Sequence, residues 1–519
     1  MRLPCILTLS ALAQAVLAAQ FKVIAPQGKD VKVSVNGVET SLSASNADVP
    51  YFVGNADAAD NSKYKYIVNG KPEDFERTLS GPSTRNDIYL RPVTYGNIPE
   101  LPKAIGVDDW DKAIEAGPIW DINYIPSVFV TLPEKDRNSL VKGLSDSIYK
   151  AKITIIDADD VHAYNDADFQ LHKPGKTHNN AKQSWKWALP EGQLLNGRDF
   201  FKIRHMEEDP TQIREKLYAD VLRAMGVYAP QANMIRFFIN GESFGTFNML
   251  DDVPNLSYIR AVFYGGETPP ASNALFDGAS GASFKDDDKN LYAFLPAEGS
   301  NEDKSLIEKV TQELEKLDPA NDAQVEAFKK HFQVDQFLRF MVMEFLTCHW
   351  DGYWQQQTNI GAYEDFSTGM TYFLGQDWDA TFGVNAPSWD IINTPYTDYP
   401  DKFKDAVMIN KLLENPTIKA TFERYLGDTI TKIFNSNVLG GRVRQYHNFI
   451  YPDLVWDRSI TQQSKGINYR WSLEHTTENL FNGVKGKNSK SSGGADYGLL
   501  TYIDEKSKAV ADHLGLKLQ

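Results

Sequence analysis

Apolar and polar side chains alternate along residues 20–95, which is the pattern of half-buried β-strands. Short runs with this period, among them FKVIAP, VKVSV and YKYIV, are separated by Asn36-Gly37 and Asn69-Gly70. Asn-Gly closes tight hairpins because both residues accept positive φ angles. The pattern therefore predicts a small β-sandwich over residues 20–95.

A proline-containing connector over residues 96–125 leads into a larger domain that we predict over residues 126–519. Two of its strands, QSWKWALP and RDFFKIRH, also alternate, and their apolar faces carry large side chains: Trp185, Trp187, Phe201 and Ile203. Successive residues of a strand point to opposite faces, so Lys186, Lys202 and Arg204 lie away from these apolar groups. Two neighbouring strands are therefore expected to present cations from a half-buried sheet.

The segment that follows switches to the helical period. Asp209 is predicted as its N-cap, Pro210 as its first helical residue and Gly226 as its end. One apolar stripe is formed by Ile213, Leu217, Val221 and Met225. Glu215 lies on a second stripe with Tyr218, so its side chain is expected to face packed structure rather than water.

A second helix, QVDQFLRFMVMEFL, is apolar around most of its circumference, which predicts a buried position at the centre of the domain. It ends at Cys348-His349-Trp350-Asp351. A strand, MTYFLG, then runs into Asp377 and Asp379, and mostly helical patterns follow. The predicted fold class is α+β, with an N-terminal β-sandwich before a larger domain whose C-terminal part is helical.

Residues 1–19 contain a positive charge at Arg2 followed by an apolar run that ends in small residues. This pattern predicts a secretory signal peptide. No later segment has the ~18 uninterrupted apolar residues of a membrane span, so we expect an extracellular protein without one. The net charge of −15 argues against nucleic acid as a partner. Asn255-Leu256-Ser257 is an N-glycosylation sequon, which makes Asn255 a candidate glycosylation site.

Removal of a signal peptide would take away Cys5 and leave Cys348, so no intrachain disulfide is expected. Cys348 beside His349 could be a protease dyad, but a nucleophile and its base usually come from separate segments. The favoured interpretation is a small buried thiol. Other familiar motifs are incomplete, since PGKT lacks the first glycine of a P-loop and GASGAS lacks the last glycine of a serine-hydrolase elbow.

Cations and oxygen ligands recur along the chain in a definite order: Lys186, Lys202, Arg204, Glu215, Asp351, Asn359, Asp377 and Asp379. Phosphoryl transfer needs cations for phosphates, oxygen ligands for Mg²⁺ and a carboxylate that orients the attacking hydroxyl. Each residue alone also has a simpler explanation. A strand lysine is often solvated, a helix glutamate often joins a surface ion pair, and an aspartate often caps a turn or helix. The order and combination favour phosphoryl transfer.

The motifs HWDGY, TNIGAY and QDWDATFG, preceded by IREKL and NGESFGTFNMLDDV, resemble those of the spore-coat CotH family. The resemblance covers approximately residues 125–450. It implies an atypical protein-kinase-like fold in a secreted protein, which transfers phosphate from ATP, with Mg²⁺ or Mn²⁺, to Ser or Thr of secreted or surface proteins. The N-terminal sandwich and WQQQTNIGAYED are most similar to the fungal Mucorales branch, whose surface members are described as invasins.

The resemblance also implies roles for individual residues. Asp351 takes the place of the catalytic aspartate, and the metal ligands correspond to Asp377, Asp379 and Asn359. Lys202 is expected to bind the nucleotide's phosphates, with Lys186 as its rival. Glu215 is expected to pair with Lys202, and Arg204 to add positive charge. Two departures from the family pattern are Gln376 in place of a tryptophan and the lack of a glycine-rich nucleotide loop before Lys202.

An adhesin is the rival function, because the similar fungal invasins bind host-cell receptors such as a BiP-type chaperone. The polar segment Gln355–Asp365 contains a glycine and is predicted to project from the domain as a receptor-binding loop. The expected contact residues are Gln357, Thr358, Asn359, Gly361, Ala362, Tyr363, Glu364 and Asp365. The alternative is that this segment only forms the edge of a catalytic cleft. A position on the cell wall or spore surface is compatible with both functions.

Overall fold

The computed structural model describes residues 18–45, 48–104, 109–172, 180–278, 280–487 and 494–518. The chain divides into two compact units, of which the first comprises Met1–Gly96 with Ile156–His162 and the second the remaining residues. The predicted signal peptide lies outside the described residues, except that Ala18 and Ala19 begin the first strand. Among the described helices, none has the length and apolar character needed to cross a membrane.

The first unit contains two β-sheets that enclose one core. Its strands are β1 (Ala18–Ile24), β2 (Val31–Val35), β3 (Val38–Ser41), β4 (Ser43–Ala44), β5 (Tyr51–Asp57), β6 (Lys63–Val68), β7 (Lys71–Pro72), β8 (Arg77–Thr78) and β9 (Asp87–Ile88). One sheet has the order β4-β5-β1-β9; the other has β3-β2-β6-β7, with β8 also paired to β6. The predicted Asn-Gly turns are present, since Asn36 and Asn69 each have a φ of 50°. Phe21, Val33 and Tyr66 share the core between the sheets.

A closed barrel of seven strands opens the second unit, in the order β10-β11-β12-β13-β14-β16-β15. These strands are β10 (Ser127–Thr131), β11 (Tyr149–Ile156), β12 (Val161–Leu171), β13 (Trp185–Ala188), β14 (Phe200–Arg204), β15 (Ala232–Ile239) and β16 (Glu242–Leu250). The predicted apolar faces of two of them meet in one core cluster that contains Trp185, Trp187, Phe201 and Ile203. The sequence pattern did not predict closure, because strand periodicity says nothing about which strands pair.

The rest of the second unit combines helices with a four-stranded sheet of order β18-β17-β19-β20. The strands are β17 (Ala274–Gly278), β18 (Phe294–Pro296), β19 (Ile360–Asp365) and β20 (Met370–Gly375), and a separate pair is formed by β21 (Val484–Lys485) and β22 (Gly494–Ala495). The helices are α1 (Glu134–Val141), α2 (Arg214–Ala224), α3 (Leu256–Phe263), α4 (Asp288–Ala293), α5 (Ser305–Lys316), α6 (Asp322–Phe328), α7 (Val334–Thr347), α8 (Tyr353–Gln356), α9 (Tyr399–Lys402), α10 (Val407–Leu412), α11 (Pro416–Lys432), α12 (Val438–Arg458), α13 (Leu473–Glu478) and α14 (Leu499–Leu514). The predicted mixture of strands and helices, with β-sheets first and helices last, is confirmed.

The two helices predicted from periodicity are both present, but one starts later than expected. Helix α7 is buried along almost its whole length, as predicted. Helix α2 begins at Arg214 with Ile213 as its N-cap, so the predicted start at Asp209 and Pro210 is wrong. The Asp209 carboxylate, one turn earlier, nevertheless accepts hydrogen bonds from the backbone N–H groups of Ile213 and Arg214 (both 2.8 Å). The left-handed Gly226 follows its end.

The segment predicted as a connector, residues 96–125, belongs to the second unit from Asn97 onward. Trp110 donates its indole N–H to the carbonyl of Val262 (2.7 Å), and its ring packs edge-on against Tyr228 and Phe263. This tryptophan therefore anchors its part of the segment against α3.

Candidate active site

Lys202 lies on β14 with its side chain almost fully buried at 3% exposure. Its Nζ is 3.3 Å from a carboxylate oxygen of Asp252, which follows β16. The neighbouring Asp251 turns to Arg198 instead, with two N–O distances of 2.6 and 3.0 Å. Burial lowers the pKa of Lys202, but Asp252 and Asp377 outweigh it and raise the pKa above its ordinary value. Lys202 therefore stays charged inside the protein.

Glu215 on α2 faces the same region, as its predicted stripe requires, and is 5% exposed. Its Oε2 accepts a hydrogen bond of 2.7 Å from the amide of Asn248 on β16. Lys202 forms its ion pair with Asp252 and not with the predicted Glu215, although the charge of Glu215 also raises the pKa of that lysine. The reason is tertiary, because the β14–β16 register places Lys202 opposite Leu250, two residues before Asp252. Burial raises the pKa of Glu215.

Arg204 holds together the two aspartates that follow β20. One terminal nitrogen lies 2.8 Å from Asp377 Oδ1 and the other 2.5 Å from Asp379 Oδ2. Burial raises the pKa of Asp379 to about 7, although Arg204 acts in the opposite direction. Asp377 has a left-handed backbone with φ 63°, a conformation that aspartate tolerates better than most residues. The guanidinium thus ties the barrel to the segment that contains Asp377 and Asp379.

Asp351 lies just beyond α7 with a quarter of its side chain exposed. Its Oδ1 is 3.2 Å from Nε2 of His349, and the same nitrogen lies 3.2 Å from the backbone carbonyl of Asp377. The Asn359 amide donates to the Asp351 carbonyl at 3.0 Å. Burial lowers the pKa of His349, but its hydrogen bond with Asp351 and the nearby carboxylates raise it overall. His349 therefore connects Asp351 to the aspartate segment.

The helix-capping role that Asp351 could have filled belongs to Glu344. The buried carboxylate of Glu344 accepts backbone hydrogen bonds from Tyr353 (3.0 Å) and Trp354 (2.7 Å), the first residues of α8. Gly352 is required between them, because a Cβ there would lie 2.7 Å from His349 Nδ1 and 2.9 Å from Glu344 Cδ. The Asp351 carboxylate is thus free of capping, which removes the simpler explanation for this residue.

The carboxylates can be tested for their fit to a metal ion. Across the ranges that the structure describes, no group of three or more His, Cys, Asp or Glu converges as a ready-made metal site. Asp377 and Asp379 do converge on one cation, Arg204. Mg²⁺ is commonly held by one or two carboxylates together with substrate phosphates, so this donor set fits Mg²⁺ bound with a nucleotide. Asn359 donates its amide N–H to the Asp351 carbonyl, and the metal-ligand role predicted for its amide oxygen stays a prediction.

Comparison with known proteins places these residues in a family. A family model described as CotH kinase protein matches residues 172–489. Spore coat protein homolog 1 of Rhizopus delemar is 51% identical over 95% of this chain and 81% of that protein. The chain belongs to the CotH family. Invasin CotH7 of the same fungus is 51% identical over 92% of this chain and 80% of its own length, and Inner spore coat protein H of Bacillus subtilis is 21% identical over 53% and 74%.

The CotH family model spans every residue discussed so far in this site, from Lys202 to Asp379. It also spans Lys186, the predicted rival of Lys202. Lys186 pairs directly opposite Lys202 across β13 and β14, and its Nζ lies 5.6 Å from the ring centroid of Phe200. Lys202, with Asp252 and Asp377 beside it, has the closer connection to the acidic residues.

The receptor-binding loop predicted over Gln355–Asp365 is wrong for its second half. Residues Ile360–Asp365 form β19, an interior strand of the four-stranded sheet, and all six are buried. Glycine and acidic residues made this segment look like a loop, but its neighbours β17 and β20 supply the missing hydrogen-bond partners. Gln357 is also buried, which leaves Gln355, Gln356, Thr358 and Asn359 with exposed surface.

The sequon residue Asn255 acts as the N-cap of α3, where its side-chain oxygen accepts a hydrogen bond from the Ser257 backbone N–H. The Ser257 hydroxyl is buried and accepts from the backbone N–H groups of Asp199 (3.0 Å) and Phe200 (3.1 Å). Both sequon side chains therefore have structural roles, and glycosylation of Asn255 stays a prediction.

Cys348 is 3% exposed, and burial raises the pKa of its thiol to about 11. The amide of Gln355 lies 3.3 Å from its sulfur, while the His349 ring engages Asp351. This geometry agrees with the buried thiol and not with a protease dyad, which requires a thiolate near its base.

Three residues of the site received no role from the sequence: Asp252, Glu344 and His349. The sequence shows that Asp252 is an acid just after the strand pattern of β16. It does not show that the partner of Asp252 is Lys202 on β14. Glu344 is an acid on the buried, largely apolar helix α7, and a buried carboxylate needs a hydrogen-bond or charge partner. His349 belongs to the HWDGY motif, but its contacts with Asp351 and the Asp377 carbonyl are not evident from the sequence.

Proposed function

We propose that this CotH-family protein is an atypical protein kinase of the cell exterior, with a kinase-like fold in its second unit. It transfers phosphate from ATP to Ser or Thr side chains of secreted or surface proteins. The main support is that Lys202, Asp351 and Asp377, which come from three separate segments, are linked through His349 and Arg204. Export through the predicted signal peptide is part of this proposal.

The cations of β14 are suited to phosphate groups. Lys202 stays protonated, and Arg204 carries two terminal nitrogens on one planar group. Asp377 and Asp379 would hold Mg²⁺ or Mn²⁺ together with the nucleotide's phosphates. When bound, that ion supplies positive charge that offsets the charge on the phosphates during transfer.

Asp351 is suited to accept the proton of an attacking hydroxyl. Its carboxylate is partly exposed, so a substrate side chain can reach it, and His349 holds one of its oxygens at 3.2 Å. The other oxygen is left for the substrate. The Asn359 amide and the His349 ring fix the backbone and side chain of Asp351, which gives the orientation that a general base requires.

The test uses the purified full chain. Calorimetry with Mg–ATP should show saturable binding, and labelled ATP should transfer phosphate to Ser or Thr in a mixture of secreted proteins. Asp405→Asn is a control, because Asp405 is exposed and pairs with Lys285 away from the site. It should bind and transfer as the unmodified chain does. Absence of both binding and transfer in the unmodified protein would refute the kinase proposal.

A second candidate function is adhesion to host cells, and the names of two relatives support it. Invasin CotH7 is 51% identical to this chain and Invasin CotH3 is 46% identical over 96% of it. Under this proposal the protein lies at the cell or spore surface and binds a host receptor, such as a BiP-type chaperone. Of the segment first considered, only the exposed part before β19 remains available for such a contact.

Adhesion can be tested separately from catalysis. Beads coated with the protein should attach to host cells, and beads coated with an unrelated acidic protein of similar size should not. An Asp351→Asn protein should attach equally well, because adhesion needs the surface and not phosphoryl transfer. Equal attachment of both coated beads would refute the adhesin proposal.

A further inference from the structure

Arg204 occupies the position where the two aspartates converge. Its terminal nitrogens lie 2.8 Å from Asp377 and 2.5 Å from Asp379, so one guanidinium faces both carboxylates at once. The three side chains are 14%, 22% and 11% exposed, respectively. The cluster is therefore tightly held and yet reachable from solvent.

Carboxyl groups outnumber the cations around Arg204. Lys202 and Arg204 face four carboxyl groups: Glu215, Asp252, Asp377 and Asp379. This surplus of acidic oxygens suits the binding of a further cation.

A divalent cation and the Arg204 guanidinium cannot both use the facing carboxylate oxygens. Mg²⁺ demands oxygen ligands at ~2.0–2.1 Å in near-octahedral geometry. The guanidinium hydrogen-bonds to those oxygens and would repel a second cation at that distance. Metal binding at Asp377 and Asp379 therefore requires Arg204 to move away.

The nucleotide offers Arg204 a new partner. A triphosphate is the kind of anion that a guanidinium binds well, since its planar fork matches phosphate oxygens. Arg204 is also next but one to Lys202 on the same strand and the same face, so both cations can meet one phosphate chain. A nucleotide would thus remove Arg204 from the aspartates and bring phosphate ligands for the metal.

We infer that Arg204 makes metal binding conditional on nucleotide: it covers Asp377 and Asp379 until a triphosphate draws it away. This inference rests on the proposed kinase function and assigns Arg204 a specificity-determining role. The nucleotide-free protein would then bind divalent cations weakly, and tight binding would require the metal and the nucleotide together.

The experiment measures Mn²⁺ binding to the full chain without nucleotide, by the loss of the free-ion electron paramagnetic resonance signal. The unmodified protein is compared with Arg204→Gln and with Arg260→Gln. Arg260 is a matched control, because it is 16% exposed and pairs with Asp199 at 2.6 Å outside this cluster. Arg204→Gln should bind Mn²⁺ at least about tenfold more tightly, since a site covered in nine of ten molecules loses tenfold in apparent affinity. Arg260→Gln should match the unmodified protein.

A second variant guards against misfolding of Arg204→Gln. Arg204→Lys keeps one positive charge but cannot bridge both aspartates with a planar group, so its Mn²⁺ affinity should be intermediate. Equal Mn²⁺ affinity in the unmodified, Gln and Lys proteins, with native circular dichroism, would overturn the inference. Tight binding of Mn²⁺ to the unmodified protein in the absence of nucleotide would also overturn the inference.

Nucleotide binding is then measured on the unmodified protein to separate the two proposals. A nonhydrolysable ATP analogue with Mn²⁺ should bind, whereas Mn²⁺ alone should not. If the analogue fails to bind while Arg204→Gln still binds Mn²⁺ tightly, the kinase proposal fails. The conclusion that Arg204 blocks metal binding at the two aspartates is then supported. If the analogue binds but Arg204→Gln takes up no more Mn²⁺ than the control, the conditional metal site fails and the kinase proposal stands.

Discussion

Asp252, and not the helix residue Glu215, forms the ion pair with Lys202 at 3.3 Å. Glu215 is held instead by Asn248, whose amide donates to it at 2.7 Å. Both acids are buried beside one lysine, yet only one is its direct counter-ion. The two carboxylates can therefore be distinguished by substitution.

Asp252→Asn should destabilise the protein far more than Glu215→Gln. Loss of one partner of a buried ion pair leaves the other charge uncompensated, which costs about 3 kcal/mol or more. Glu215→Gln keeps an acceptor for Asn248 and should cost less than about 1 kcal/mol. Urea unfolding of the three proteins measures these differences. Equal losses in both variants would contradict the assignment of Asp252 as the partner.

Asp351→Asn and Asp377→Asn should fail at different steps of the proposed reaction. The amide at position 351 keeps the shape of the side chain but cannot accept a proton, and general-base losses amount to ~10²–10⁴ in rate. This variant should bind Mg–ATP nearly normally. Asp377→Asn removes a negative metal ligand and should lose both binding and transfer, and Lys202→Ala should do the same. Calorimetry and labelled-phosphate transfer measure the two steps, and normal transfer by Asp351→Asn would exclude it as the base.

Glu364 should make the protein less stable as the pH rises. This fully buried acid on β19 accepts a hydrogen bond of 2.5 Å from the Ile307 N–H, and burial raises its pKa from 4.5 to about 8. Between these values the unfolded chain is ionised while the folded protein stays protonated. The folded state thus binds more protons, and its stability is fully present below pH 4.5 and is lost toward pH 8, by up to about 1.4 kcal/mol per pH unit.

Glu364→Gln should remove this contribution, because the amide still accepts from Ile307 and never ionises. Urea unfolding at several pH values between 5 and 8 should give a flatter dependence for this variant than for the unmodified protein. Glu315→Gln is the control, since Glu315 is exposed on α5, the helix that contains Ile307. An unchanged slope in Glu364→Gln would show that this residue does not carry the effect.

Replacement of Ile360–Asp365 by Gly and Ser should unfold the second unit rather than abolish attachment alone. This strand is paired on both sides, and its buried side chains include Tyr363, which packs against Phe263 and Tyr372. Surface changes at Gln356 and Thr358 should leave the fold intact and reduce host-cell attachment if this patch binds a receptor. Circular dichroism and attachment are measured together. A folded replacement of the strand would contradict the burial of β19.

Cys348 should react slowly with thiol reagents in the native protein. Its side chain is buried and its pKa is raised to about 11, so both access and the thiolate form are suppressed. A bulky maleimide should label it within minutes in urea and at least ~100-fold more slowly without urea, since labelling requires opening of the structure. Rapid native labelling would show that the region around α7 is open.

The sequence by itself determined the local features of this protein. The period of two placed Lys202 and Arg204 opposite Phe201 and Ile203, because successive strand residues must point to opposite faces. The apolar circumference of α7 determined its burial, and Asn-Gly pairs determined the hairpin turns. Motifs such as HWDGY were sufficient to indicate the CotH family before any contact was known.

Tertiary structure alone decided which of these residues meet. Arg204 contacts Asp379 across 175 positions, and the choice of Asp252 over Glu215 depends on the register of β14 with β16. Glu364 and Gly361 gave β19 the local pattern of a loop, yet its two neighbouring strands bury it. A local sequence pattern indicates whether a segment forms a strand or a helix and which of its faces is buried. It does not indicate which residue contacts which, because the contacting residues lie far apart in sequence and meet only when the sheets and helices pack.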